Sequence, residues 1–186
     1  LQVLPQTNRR KEIAGPPHFQ LLHDLQKNYY PRSLNMSPKK VRWIIIITNG
    51  FFLLTDQILK WQAVHNWTET NLVFPYFGWQ VFLNQGVAFG LPLSNNLTII
   101  ITLPMVGLIG YVSYKELTKK ESSSPKLLLA WSMVLAGAIS NLLDRIVYSQ
   151  VVDYFIIGTA LINISDMLIV GGLVIYLLSL RPASRR

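Results

Sequence analysis

Four aspartates, Asp56, Asp144, Asp153 and Asp166, lie at or just beyond one end of long apolar segments, and they are the residues best placed to do chemistry. Two carboxyl groups held close together do not both ionise readily, so one keeps a proton while the other acts as base. Such a pair activates water against a peptide carbonyl with no covalent intermediate. A charged side chain at the centre of a membrane helix costs roughly 2.5 to 3.5 kcal/mol on insertion scales, so four carboxylates at one depth ask for a purpose. Spacing alone leaves open which two of the four form the pair.

The elements that must position them are apolar. Of 186 residues, 51% are hydrophobic and 14% charged, against about 25% charged in a soluble domain. Four segments, about 43–59, 97–114, 127–143 and 162–180, are each 17 to 19 residues long, enough to cross a hydrocarbon layer of ~30 Å. Stretches such as Met167 to Leu180 carry no polar stripe at helical spacing, which argues against a water-soluble bundle. The expected fold class is an all-α membrane protein, a four-transmembrane-helix bundle with a small outward-facing β-sheet or loop region between spans one and two.

The formal net charge of +8 is distributed as topology, not as a nucleic-acid patch. Lys39, Lys40 and Arg42 precede span one. Lys115, Lys119, Lys120 and Lys126 separate spans two and three, and Arg181, Arg185 and Arg186 follow span four. Only Lys60 and Arg145 are expected in the other two loops. Both termini and the middle loop are therefore expected on the cytoplasmic side. Counted from those basic residues at 1.5 Å per residue, Asp56 and Asp166 rise ~21 to 23 Å and Asp144 ~27 Å, so all four aspartates are expected at the outer boundary.

Cysteine is absent, which excludes disulfides and thiolate chemistry. The three histidines, His18, His23 and His65, form no cluster with metal-ligand spacing, so no metal site and no cofactor are expected. Residues 1–38 hold five prolines and scattered charges without the apolar stretch of a signal peptide, and they read as a flexible extension outside a domain of residues 39–186. Met36, just before the basic cluster, is a candidate start, which would leave Leu1 to Asn35 upstream.

The first outer loop, from about Lys60 to Leu93, is dense in Trp, Tyr and Phe, rings suited to a headgroup layer. Its alternation at Phe77, Trp79, Val81 and Leu83 predicts a strand, and Asn84-Gln85-Gly86 a turn. A strand there offers a platform for an extended peptide. Asn141, Asp144 and Arg145 close span three, while Asn163 and Asp166 open span four. Asn-x-x-Asp spacing on a helix puts both side chains on one face. Asp56 and Lys60, four apart, read as a local ion pair steadying the end of span one. On residues alone an aspartic endopeptidase leads. A small proton-coupled carrier using the same carboxylates is the alternative, weakened by the lack of a continuous polar path to the cytoplasmic side. A structural subunit would leave the aspartates without a purpose.

Five blocks occur in one order: Thr55 to Lys60, Asn84 to Gly90, Gly137 to Arg145, Val151 to Tyr154 and Asn163 to Asp166. Together, over about Pro38 to Leu180, they resemble the bacterial lipoprotein signal peptidases, also called signal peptidase II. The resemblance implies a plasma-membrane aspartic endopeptidase, and a monomer is expected. Its substrates would be prolipoproteins, cut in contact with membrane lipid just before a diacylglyceryl-modified cysteine at the outer, periplasmic edge. It assigns Asp153 and Asp166 as the catalytic pair, and Asn141, Arg145 and Asn163 as neighbours orienting pair or substrate. Asn84 and Gly86 would belong to the substrate-contacting sheet, Asp56 and Lys60 to integrity, and Asp144 to anchoring a loop. The chain departs from that pattern at Ser149, where glycine is usual, at Tyr154 and Ile162, where phenylalanine is usual, and at Ser165, where alanine is usual. Ser149 is expected to restrict positive φ in the turn before Asp153, and Tyr154 to require a partner for its hydroxyl if buried.

Overall fold

A computed structural model describes residues 37–67, 69–86, 93–119 and 124–180. All lie in one compact unit, Ser37–Arg186. The expectation of an N-terminal extension over residues 1–38 falls outside them, apart from Ser37 and Pro38.

Helix α1 spans Pro38–Asn66. It starts where Ser37 accepts from the Lys40 N–H and Pro38 supplies a pre-set φ in the first turn. At 29 residues it is ~43 Å long, well beyond the expected segment 43–59, because Ala63 at its far end is fully buried in a cluster with Val152 and Tyr154. Strands β1, Asn71–Phe74, and β2, Phe77–Asn84, follow. Helix α2 is Asn95–Thr118, begun by Ser94 accepting from the Leu97 N–H, and α3 is Pro125–Tyr148. Strands β3, Val151–Ile157, and β4, Ala160–Ile162, then lead into α4, Ile164–Ser179.

The helices α1, α2 and α3 are long and apolar enough to cross a membrane, and α4 is a shorter apolar helix of 16 residues. Polarity is inverted relative to a water-soluble bundle. Ile47, Phe51, Leu54 and Ile58 on α1, Ile100, Leu103 and Leu108 on α2, and Val170 and Leu177 on α4 face outward, while Asp56, Lys60 and Asp144 are wholly buried. Apolar faces turned out and polar groups turned in suit a lipid solvent. Helices α3 and α4 meet through small residues. A Cβ on Gly137 would lie 2.4 Å from the Ser165 carbonyl oxygen, and one on Gly172 would lie 2.6 Å from that of Ala130. Glycine lets the two backbones close to that distance.

The sheet corrects one expectation. It does not lie only between the first two long helices: it has four antiparallel strands in the order β1-β2-β3-β4, half of them contributed by residues between α3 and α4. The register pairs Asn84 with Val151 and Phe82 with Asp153. Strand β3 shows no alternation because Val151, Val152, Asp153 and Tyr154 are all buried, so both faces of its first half are covered and no apolar-polar period of two appears. Two further placements change. Lys60 and Arg145 stand within α1 and α3, not in loops. Ile162, expected to open a fourth span, ends β4, and the helix begins two residues later.

Ser149 closes α3 in the left-handed conformation, φ 60° and ψ 12°, the one non-glycine residue at positive φ among the described residues. The chain reverses there and enters β3 two residues on. Glycine fits that conformation without the Cβ penalty, so this departure from the resembled pattern falls at the position that uses glycine's freedom.

Candidate active site

The site is built where α1, α3, β3 and the start of α4 converge. Asn163, extended at φ −129° and ψ 174°, is the N-cap of α4. Its side chain accepts from the Asp166 N–H at 2.8 Å, and the Asp166 carboxylate reaches back to the Asn163 N–H at 3.4 Å, a complete capping box. The second Asn-x-x-Asp is thus a helix-start device and not two residues on a helix face. The Asn163 amide also donates to Asp153 Oδ1 at 2.7 Å and to the Val152 carbonyl at 3.3 Å. One buried asparagine therefore touches both Asp153 and Asp166.

Each aspartate has a second amide partner. Asn84, ending β2, donates to Asp153 Oδ2 at 3.0 Å, and Asn141 donates to Asp166 Oδ1 at 3.0 Å. Asp153 is only 2% exposed. Burial drives its carboxyl up to about 6 and the Asp166 charge pushes the same way, while the amides of Asn84 and Asn163 pull it down. A carboxyl that ionises near 6 is suited to proton transfer close to neutral pH.

Beneath these residues lies a buried ionic cluster. Lys60 Nζ is 2.8 Å from Asp56 and 2.7 Å from Asp144, and it donates to Asn141 at 2.9 Å and Ser165 at 3.1 Å. The expected local pair of Asp56 and Lys60 is therefore a tertiary hub that joins α1, α3 and α4. Asp144 also accepts from the Gln57 amide at 3.0 Å and from the Val152 N–H at 3.2 Å, fixing the start of β3. Asp56 accepts from Ser140 at 2.6 Å, from Tyr154 at 2.8 Å, from the Ile164 N–H at 3.0 Å, and from the Ser165 hydroxyl. An anion against the first N–H groups of α4 complements the helix dipole. The Tyr154 hydroxyl thereby has the partner its burial requires.

Arg145 is 6% exposed and donates through Nη2 to the Gly86 carbonyl at 2.6 Å, while its Nη1 is buried with no hydrogen-bond partner. Gly86 in turn donates its N–H to Asn84 Oδ1 at 3.0 Å. The expected turn is thus tied to both Arg145 and Asn84, and the Val87 to Gly90 part of its motif lies outside the described residues. A cavity of about 500 Å³, lined by Phe82, Asn84, Gly86 and Ser94 among others, opens beside Asn84. No group of three or more acidic or histidine side chains suited to a metal ion occurs among the described residues. Ser140, Ser165 and Gln57 were not singled out in the sequence as partners of the charged cluster. Neutral side chains inside apolar segments signal such a role only through the burial of the charge beside them.

A family described as signal peptidase (SPase) II matches residues 48–181. The chain belongs to that family. Its members are bacterial inner-membrane aspartic proteases that remove signal peptides from prolipoproteins. The lipoprotein signal peptidase of Buchnera aphidicola subsp. Acyrthosiphon pisum is 30% identical over 75% of this chain and 92% of its own length. That of Clostridium tetani is 29% identical over 73% and 89%, and that of Polynucleobacter necessarius 32% identical over 55% of this chain, which spans 64% of that relative. A solved bacterial membrane enzyme, 23% identical over 76% of this chain and 94% of its own, shares the fold with a TM-score of 0.64. The carrier alternative finds no support among these relatives of the signal peptidase II family.

Proposed function

We propose that this chain is a prolipoprotein signal peptidase in which Asp153 and Asp166 are the catalytic pair. The observation that carries the assignment is Asn163, which donates to Asp153 at 2.7 Å and forms the capping box with Asp166. Of the four aspartates, Asp56 and Asp144 share Lys60 as their ion-pair partner. The other two are held by amides, which orient a carboxyl without fixing its charge.

In the proposed reaction the ionised member takes a proton from water as the oxygen attacks the scissile carbonyl. The protonated member donates to the carbonyl oxygen, giving a gem-diol. As the C–N bond breaks, the carboxyl that took the water proton gives it to the leaving amine and the gem-diol returns a proton to the other carboxylate, restoring the singly protonated pair. Arg145 Nη1, buried without a partner, is available to a substrate carbonyl. The peptide before the lipid-modified cysteine lies extended against β2, over the cavity beside Asn84, with the acyl chains along apolar helix faces.

The topology follows the same reading. Residues 39–186 form a four-span protease domain, α4 making the fourth crossing, with both termini cytoplasmic, the sheet and the pair at the periplasmic edge, and the chain acting as a monomer in contact with lipid. The basic residues beside the helix ends support this orientation. Purified protein is expected to cleave a lipidated prolipoprotein, with Asp153→Asn and Asp166→Asn each folded and inactive. Near-normal turnover by either variant would remove the assignment.

A further inference from the structure

Asp153 is followed by Tyr154, and Asp166 is preceded by Ser165. Both hydroxyls end on one carboxylate. Tyr154 donates to Asp56 Oδ1 at 2.8 Å, and the Ser165 hydroxyl donates to Asp56 Oδ2. The backbone beside Ser165 is held by the same group, since Asp56 Oδ1 accepts from the N–H of Ile164 at 3.0 Å and of Ser165 at 3.4 Å. Asp56 itself is fixed from α1 and α3 through Lys60 and Ser140.

We propose that Tyr154 and Ser165 are positioning residues that tie the two halves of the catalytic pair to a single buried anchor, Asp56, and so set the separation of the pair. The inference rests on Asp153 and Asp166 being that pair. Without the anchor, the strand carrying Asp153 and the helix carrying Asp166 are linked by the hairpin of β3 and β4 and by the Asn163 contacts. With it, each is pinned one residue away from its carboxylate. Side chains of adjacent strand residues point to opposite faces, so Tyr154 grips Asp56 while Asp153 faces Asn84 and Asn163. Burial and the Asp56 charge raise the pKa of the Tyr154 phenol, which therefore keeps its proton and stays a donor. Both residues are departures from the resembled pattern, where phenylalanine and alanine are usual, so the clamp belongs to this chain.

The clamp is separable from folding. Asp56 receives six donors, whereas a carboxylate offers about four lone-pair sites, so loss of one hydroxyl leaves it bonded. Phenylalanine at 154 keeps the ring in its cluster with Ala63 and Val152. A displacement of about 1 Å in reacting groups costs up to about a hundredfold in rate, so a partly loosened pair is expected to lose about three- to tenfold in kcat.

The experiment measures kcat and KM per folded molecule for Tyr154→Phe, Ser165→Ala, their double variant, Ser165→Thr, Asp153→Asn and Asp166→Asn. The proposal expects kcat to fall in Tyr154→Phe and Ser165→Ala with KM within about twofold of wild type. It expects Ser165→Thr to retain activity, and the double variant to lose less than the product of the singles because both act through Asp56. Unchanged kcat in both single variants, or a loss that merely follows the unfolded fraction, overturns it while the catalytic assignment stands if both aspartate variants are inactive. An active aspartate variant overturns the assignment itself.

Discussion

Lys60 Nζ lies 2.7 Å from Asp144 Oδ2 with both side chains wholly buried, and the same nitrogen sits 2.8 Å from Asp56. One cation is therefore shared by two carboxyl groups from two helices, and all three groups have lost their water. Removing one partner of a buried ion pair leaves an uncompensated charge and costs about 3 to 5 kcal/mol.

Lys60→Met is accordingly expected to destabilise the fold by about 3 to 5 kcal/mol, read as a large fall in the thermal midpoint in detergent. Lys60→Met combined with Asp56→Asn and Asp144→Asn is expected to recover part of that loss, because no lone buried charge remains. A Lys60→Met protein as stable as wild type would show that the cluster is hydrated.

The pH dependence of stability carries a definite sign at Asp153. Its carboxyl is raised from the ordinary 3.8 to about 6 in the folded chain. The stabilisation from its protonated form is complete below 3.8 and is lost as pH rises through 6. The change amounts to at most about 3 kcal/mol. Asp153→Asn cannot ionise, so relative to wild type it is expected to gain stability between pH 4 and pH 8. Thermal midpoints of both proteins across that range test this, and a constant difference would contradict it.

Ser149 occupies a left-handed position at φ 60°. Ser149→Gly is expected to stabilise the protein by about 0.5 to 1 kcal/mol, since the Cβ penalty outweighs the added freedom of the unfolded chain. A lowered thermal midpoint would mean that the serine hydroxyl contributes more than the strain costs.

Gly137→Ala and Gly50→Ala form a matched pair. The new Cβ at 137 meets a backbone oxygen that cannot swing away, whereas at 50 nothing lies within 4 Å. Gly137→Ala is expected to cost about 1 to 3 kcal/mol and to reduce activity by pushing the Ser165 backbone, next to Asp166. Gly50→Ala is expected to be neutral or stabilising by up to about 1 kcal/mol. Similar midpoints for the two variants would argue against the close approach of α3 and α4.

The parts of this molecule legible in the sequence were those written in local composition. The cores of α1, α2 and α3 show as apolar runs, and β2 shows as alternation at Phe77, Trp79, Val81 and Leu83. Strand β3 did not show, because burial on both faces erases the period of two and makes Val151 to Ile157 look like more apolar helix or loop. Its pairing with β2 joins residues about seventy positions apart, which no local pattern encodes. The polar residues of the site were visible as types, since ionisable groups beside apolar runs are rare. Their division was not: nothing in the spacing of Asp56 and Lys60 says that Lys60 also reaches Asp144 and Asn141. The choice of Asp153 and Asp166 came from the resemblance to a family. The geometry adds the physical difference between carboxylates paired with a cation and carboxylates held by amides.

The long-range pairing of β2 with β3 bears on how the protein comes into being. Asn84 reaches Asp153 only when a segment between the first two long helices has paired with one between the last two helices. Lys60 reaches Asp144 only when α1 has met α3. Contacts of such sequence separation form late, because the loop-closure entropy is met first. A partly synthesised chain that ends before β3 holds neither Asp153 nor Asp166, and its Asp144 lacks the Val152 N–H that it accepts from in the complete fold. Proteolytic capacity of the proposed kind is thus acquired only at the end of assembly, and a chain that stops before β3 carries no catalytic pair.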